Sequence, residues 1–209
     1  MNVVRIATPS GPARAHVHAV DVPKAALILG HGAGGGVEAP DLAAAGEAAL
    51  RERVSLALVE QPYRVAGRRS PARAAQLDAA WISVVEHLRA GELAGLPLVV
   101  GGRSMGGRVA CRTAEATGAV AVLCLAFPLE PPRRAGTPRQ SRLPELDAVT
   151  KPTLVVQGER DPFGMPPSGP SRTVVTVAGD HSLRADTAAV GAAVREWLRT
   201  IVAAAGRLV

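Results

Sequence analysis

The chain is short of aromatic residues, of cysteine and of lysine. Of its 209 residues only 2% are aromatic: two Trp, one Tyr and two Phe. Stacking unpaired bases needs more π-faces than that. Two cysteines, Cys111 and Cys124, cannot by themselves build a disulfide framework or a four-ligand zinc site. Cys124 lies inside VAVLCLAF and reads as a small core hydrophobe, and Cys111 as a buried residue of the helix that follows RSMGG. No apolar run is long enough to cross a bilayer. The N-terminus, MNVVRIATPSGPARAHVHAV, lacks the continuous apolar segment and small-residue cleavage site of a secretory signal. A soluble, cytoplasmic protein without membrane association is the expectation. No pair of His, Asp or Glu stands at ligand spacing on one helix or turn, so neither a metal nor any other cofactor is expected.

Arginine supplies 22 of the 24 basic residues behind a net charge of +6, scattered from Arg5 to Arg207. The local groups, Arg64-Arg68-Arg69 and Arg133-Arg134, lie beside turns instead of forming a stripe, so the charge reads as solubility and no nucleic-acid partner is expected. A hydrophobic content of 47% with 20% charged residues suits a chain that buries a core, and the length suits a single domain over residues 1–209.

Short apolar runs alternate with helical patterns, the mark of an α/β domain with a mostly parallel sheet. Eight strands are predicted near 3–6, 15–20, 26–30, 55–60, 97–101, 120–126, 153–157 and 172–177. Helices fit 40–52, 73–90, 105–117 and 186–204, on both faces of the sheet. TPSGPAR between the first two strands predicts an antiparallel hairpin at one edge. Trp81 and Trp197 fall on the apolar stripes of their helices and read as core. The longest irregular stretch, 128–152, is proline-rich and short of large apolar residues, unlike an apolar lid.

Two stretches carry chemistry. ALILGHGAGGG, 26–36, runs a buried strand into five glycines, and Gly30, Gly32 and Gly35 match the G-x-G-x-x-G spacing of a dinucleotide turn. LVVGGRSMGG, 98–107, ends a strand in the G-x-S-x-G pattern around Ser104 with a helix directly after it, the context of a nucleophile elbow. The elbow demands an acid and then a histidine later in the chain. Asp161 follows the strand PTLVVQG, and His181 follows RTVVTVAG, so all three leave strand ends on one edge of the sheet. Glu159 and Glu130 are alternative acids, and Asp180 beside His181 is a possible helix cap. His16, His18 and His87 read as surface or packing residues, and His31 as structural.

With those motifs in place, the chain resembles the α/β-hydrolase superfamily over about residues 25–204, carried by LGHGAGGG, GGRSMGG, QGERDPFG and GDHSL. It is most similar to the small, lidless, dienelactone-hydrolase-like branch. More narrowly it looks like the subgroup around a testis-expressed hydrolase-like protein and a subunit of a histone-acetyltransferase-associated complex. The resemblance implies a Ser-His-Asp hydrolase, and some relatives in it serve as interaction proteins. Dienelactone hydrolases use a cysteine nucleophile where this chain has Ser104, so the resemblance does not carry their substrate over to this chain. In this fold the His-Gly loop supplies one oxyanion-hole N–H and the residue after the nucleophile the other. That assigns Ala33 first, Gly34 second, and Met105 as partner. A dinucleotide turn would open its helix on the third glycine, whereas GVEAPD intervenes here, although an acid does stand at Glu60.

The expected function is hydrolysis of a small carboxylic ester or thioester, with Ser104, His181 and Asp161 as catalytic residues. A weakly active or inactive scaffold for a protein partner is the alternative, and the sequence names no such partner. Tyr63, Phe127 and Phe163 are expected near the pocket, and Arg64, Arg68 and Arg69 as a reason to favour an anionic substrate.

Overall fold

A computed structural model describes residues 1–131 and 140–206. Arg133, Arg134 and Arg207 lie outside the described residues. Eight strands form one sheet: β1 (Asn2–Ile6), β2 (Ala13–His18), β3 (Ala25–Gly30), β4 (Val54–Glu60), β5 (Leu98–Arg103), β6 (Ala121–Leu125), β7 (Thr153–Gly158) and β8 (Arg172–Val177). Their spatial order is β1-β2-β4-β3-β5-β6-β7-β8. The β1–β2 hairpin joins β4 antiparallel, and every pairing from β4 to β8 is parallel.

Burial follows this topology. β3, β6 and β7 are buried at every residue, as strands covered on both faces must be. β2, with one side facing β1 at the edge, alternates buried and accessible residues. The helices are α1 (Pro40–Arg51), α2 (Pro62–Val65), α3 (Ala74–Ala90), α4 (Met105–Thr113), α5 (Leu143–Asp147) and α6 (Thr187–Ala205). α1 and α6 pack together on one face, where Leu42, Val194 and Leu198 meet Leu27, Leu29 and Val156. α3 and α4 cover the other, where Trp81, Val85 and Val109 meet Ile28, Val100 and Val122.

Trp81 is fully buried, while Trp197 packs against the α6 side of the core with part of its ring exposed. α2 and α5 were not expected, because four or five residues give no helical period to read. β3 runs through α1 to β4 on one side, and β4 returns through α3 to β5 on the other, so the order reverses at β3. The crevice beyond the carboxyl ends of β3 and β5 is where a sheet of this kind assembles a site.

Candidate active site

Ser104 stands between β5 and α4 with φ 53° and ψ −109°, a conformation that costs a non-glycine residue about 1–3 kcal/mol. Its N–H donates to the Leu125 carbonyl at 2.8 Å, which pins the turn to β6. The turn leaves no room for side chains beside it. A Cβ on Gly102 or on Gly106 would run into the Gly30 carbonyl, so α4 starts in backbone contact with β3. Met105 is the first residue of α4, and its N–H therefore has no intrahelical acceptor.

His181 and Asp161 arrive from the loops after β8 and β7. The His181 Nε2 lies 2.9 Å from Ser104 Oγ, and its Nδ1 lies 2.8 Å from Asp161 Oδ2. With a carboxylate at Nδ1, that nitrogen carries the proton and Nε2 is left to accept from the serine. The Asp161 carboxylate is fully buried, as is Gln157, whose Nε2 donates to Asp161 Oδ2 at 2.9 Å and to the Gly164 carbonyl at 2.9 Å. The Phe163 N–H donates to Asp161 Oδ1 at 2.9 Å, and the Phe163 ring meets the His181 ring edge to face at 4.5 Å. Glu159 is exposed and pairs with Arg160, and Glu130 spends its N–H on the Phe163 carbonyl. Asp180 caps its own turn through Ser182, and the cap of α6 is Asp186. Sequence reasoning missed Gln157. Its signal was a polar residue in an otherwise apolar strand, four positions before the acid.

The loop after β3 is held from beneath. His31 is fully buried, its Nδ1 donating to the Gly32 carbonyl at 2.8 Å and its Nε2 accepting from the Gln61 N–H at 3.1 Å. The Tyr63 hydroxyl donates to the Ala33 carbonyl at 2.9 Å, and burial pushes its pKa up to about 12. Tyr63 was expected at the pocket, but it supports the loop from below instead. Burial lowers the His31 pKa, so on acidification the unfolded chain takes up this proton before the folded one does. The stability His31 carries is complete above about pH 6.5 and is lost as pH falls below it. The urea midpoint is expected to drop between about pH 7.5 and about pH 5.5, with a smaller drop in His31→Gln. An equal drop in the variant would assign the effect to other groups.

A cavity of about 410 Å³ opens over Ser104 and His181 and is lined also by Ala33, Gly34, Met105 and Phe163. Ala33 and Met105, the expected oxyanion donors, thus meet at one cavity with the serine. Phe127 does not reach it, being wholly inside the core, which a phenyl ring with no polar edge favours. Arg64, Arg68 and Arg69 do not line it either, because α2 turns that segment away and Arg68 borders a separate cleft with Tyr63. Among the described residues its arginines are Arg103, Arg108, Arg112 and Arg142. Arg108 forks onto Glu145 at 2.6 and 2.9 Å, and Arg112 onto Asp78 at 2.6 and 2.9 Å. Arg142 donates to the Pro128 carbonyl at 3.0 Å, and among the described residues no carboxylate lies within ion-pair distance of it. Among the described residues, no group of three or more His, Cys, Asp or Glu side chains is placed to hold a metal ion, and no helix is long and apolar enough to cross a membrane.

A family profile described as "Alpha/beta hydrolase domain" matches residues 23–208. No curated protein sequence matches the chain. Solved structures share its fold at low identity. A Xanthomonas campestris protein described as an a/b serine hydrolase without lid is 18% identical, with a TM-score of 0.76 over 95% of this chain and 94% of that one. Est1E from Butyrivibrio proteoclasticus is 17% identical, with a TM-score of 0.78 over 97% of this chain and 100% of that one. A dienelactone hydrolase from Anabaena variabilis is 15% identical, with a TM-score of 0.75 over 95% and 96%.

Proposed function

The chain belongs to the alpha/beta hydrolase domain family, in its small lidless branch, and from that premise we propose that it is a serine hydrolase of small carboxylic esters or thioesters, acting as one domain over residues 1–209. The observation that carries this reading is the unbroken chain from Asp161 through His181 to Ser104, with bonds of 2.8 and 2.9 Å.

Ser104 Oγ attacks the substrate carbonyl carbon as His181 Nε2 takes the hydroxyl proton, and Asp161 stabilises the resulting imidazolium. The Ala33 and Met105 N–H groups hold the negative oxygen of the tetrahedral intermediate. The alcohol or thiol leaves with the proton from His181. Water, deprotonated by His181, then attacks the acyl-serine, and the collapse of that second intermediate frees the acid and Ser104. Among the described residues no lid covers the cavity, which suits small or exposed substrates. Est1E, described with ferulic acid bound, and the dienelactone hydrolase are neighbours consistent with this class.

The direct test is labelling of the purified protein by a fluorophosphonate, read by intact mass and peptide mapping. One adduct on Ser104, absent from Ser104→Ala, is expected. Folded protein that takes no adduct would move the weight to a non-catalytic, partner-binding role.

The cavity also carries a charge preference. Arg103, Arg108 and Arg112 are neutralised largely by Asp41, Glu145 and Asp78, which among the described residues leaves Arg142 as the lining guanidinium placed to meet a carboxylate on the substrate. A charge-assisted hydrogen bond contributes about 1.5–3 kcal/mol, so Arg142→Ala is expected to cut kcat/KM for p-nitrophenyl hemisuccinate by about tenfold or more relative to p-nitrophenyl butyrate. An unchanged ratio of the two substrates would remove Arg142 from recognition.

A further inference from the structure

Arg103, inside the elbow motif, takes no part in the chemistry just described, yet its guanidinium reaches several separate segments of the chain around the site. Its Nε lies 3.0 Å from Oδ2 of Asp41, in the first turn of α1, and its Nη2 donates to the main-chain carbonyl of His181 at 3.0 Å. Its Nη1 lies over Gly32, where a Cβ would come within 2.7 Å of it. One side chain therefore joins the elbow, the loop after β3, the start of α1 and the loop that delivers His181.

Asp41 is 0% exposed, while the Arg103 side chain is 20% exposed. Asp41 Oδ1 accepts the Leu42 N–H at 3.0 Å. Oδ2 makes no hydrogen bond among the described residues, and its contact with Arg103 Nε at 3.0 Å is an ion pair, held by charge. Burial pushes the Asp41 carboxyl up and the guanidinium pulls it back. Such a pair is a poor source of stability, because desolvating both charges offsets most of their attraction, and apolar residues of similar volume often serve the fold as well. Position is another matter. The loop carrying His181 bends through left-handed Gly179 (φ 114°) and Leu183 (φ 52°); its backbone packs on Gly158 of β7, and it reaches the elbow through the side chains of His181 and Arg103.

We propose that Asp41 and Arg103 form a positioning pair for the catalytic histidine: the buried carboxylate fixes the guanidinium, and the guanidinium holds the residue 181 backbone so that Nε2 stays on Ser104. The proposal rests on the hydrolase reading and deepens it. A misplacement of about 1 Å can cost a reaction about 10²-fold without weakening substrate binding, so the signature is a loss confined to kcat.

The test compares wild type, Arg103→Met, Arg103→Lys and the double variant Asp41→Leu/Arg103→Met, in which no buried charge is stranded. With p-nitrophenyl acetate, Arg103→Met and the double variant are expected to lose about 10- to 100-fold in kcat with KM within about twofold of wild type. Arg103→Lys regains part of the loss, and the double variant melts no lower than wild type. A double variant with wild-type kcat, or one whose loss lies in KM, overturns the proposal. The low-field proton NMR signal of the His181–Asp161 hydrogen bond gives a second readout that needs no turnover. It is expected in wild type and Arg103→Lys and lost from the folded double variant, and its persistence there overturns the proposal. A wild-type protein that neither turns over ester nor takes the fluorophosphonate refutes the hydrolase reading, while this proton still decides whether the pair positions the histidine.

Discussion

Ser104→Ala is expected to lower kcat by about 10⁴- to 10⁶-fold and to leave the melting temperature where it was. The fall is that large because the nucleophile, the base and the oxyanion donors act as a unit. Without Oγ, His181 has no proton to take, and only binding and the N–H groups at Ala33 and Met105 remain to assist water. Stability should not fall, since alanine occupies the same left-handed conformation, φ 53°, at a comparable cost. Glycine is the informative comparison. Ser104→Gly removes that strain against a smaller entropic penalty in the unfolded chain, and is expected to be more stable than Ser104→Ala by about 1 kcal/mol or more. Urea unfolding of both variants, beside steady-state kinetics, checks the two halves. A loss of only a few-fold in kcat, or a fluorophosphonate adduct that persists in Ser104→Ala, would place the nucleophile elsewhere.

Asp161→Asn carries the second large effect, about 10⁴-fold in kcat with little change in fold. Every neighbour of this carboxylate is a donor: the Gln157 amide and His181 Nδ1 at Oδ2, and the Phe163 N–H at Oδ1. An asparagine has one acceptor oxygen for two donor-facing sides. If its NH₂ turns to His181, Nδ1 must accept, the ring proton moves to Nε2, and the histidine can no longer take a proton from Ser104. If its NH₂ turns to Phe163 instead, two donors meet and the His181 loop shifts. Either route disables the base without emptying the cavity, so binding of a non-hydrolysed ester analogue should survive. A fall of less than about tenfold would mean that another acid, Glu130 or Glu159, orients the ring.

The residues differ in how openly their sequence announces them. β3, β5, β6 and β7 were legible because strands covered on both faces must be continuously apolar, and the hairpin because TPSGPAR breaks two alternating runs. The elbow was legible because close backbone approach admits only glycine, so Gly102 and Gly106 report a packing contact directly. Tyr63, Phe127 and Phe163 were alike as sequence, each an aromatic after a strand. Their fates differ by orientation, which no local pattern encodes: Phe127 turns into the core, the Tyr63 hydroxyl reaches the Ala33 carbonyl, and Phe163 alone faces the histidine. The same limit hid Arg103, whose partners lie 62 and 78 positions away along the chain on either side. Arginines near one another in sequence, Arg64 to Arg69, proved a poor guide to arginines near one another in space.

The backbone contact of Gly102 and Gly106 with Gly30 gives the site an uneven mechanical character. Peptide groups of β3, β5 and α4 are interlocked there, so the serine and the strand leading to the oxyanion loop move together as one stiff piece. The histidine stands on a separate piece, a loop whose backbone packs on Gly158 at the end of β7, and the two pieces meet through the side chains of His181 and Arg103. On warming, that side-chain link is expected to yield before either piece does, so that catalysis fails while the nucleophile's own surroundings are still intact. Thermal inactivation should therefore precede global melting, with the gap set by how firmly the residue 181 loop is tied down.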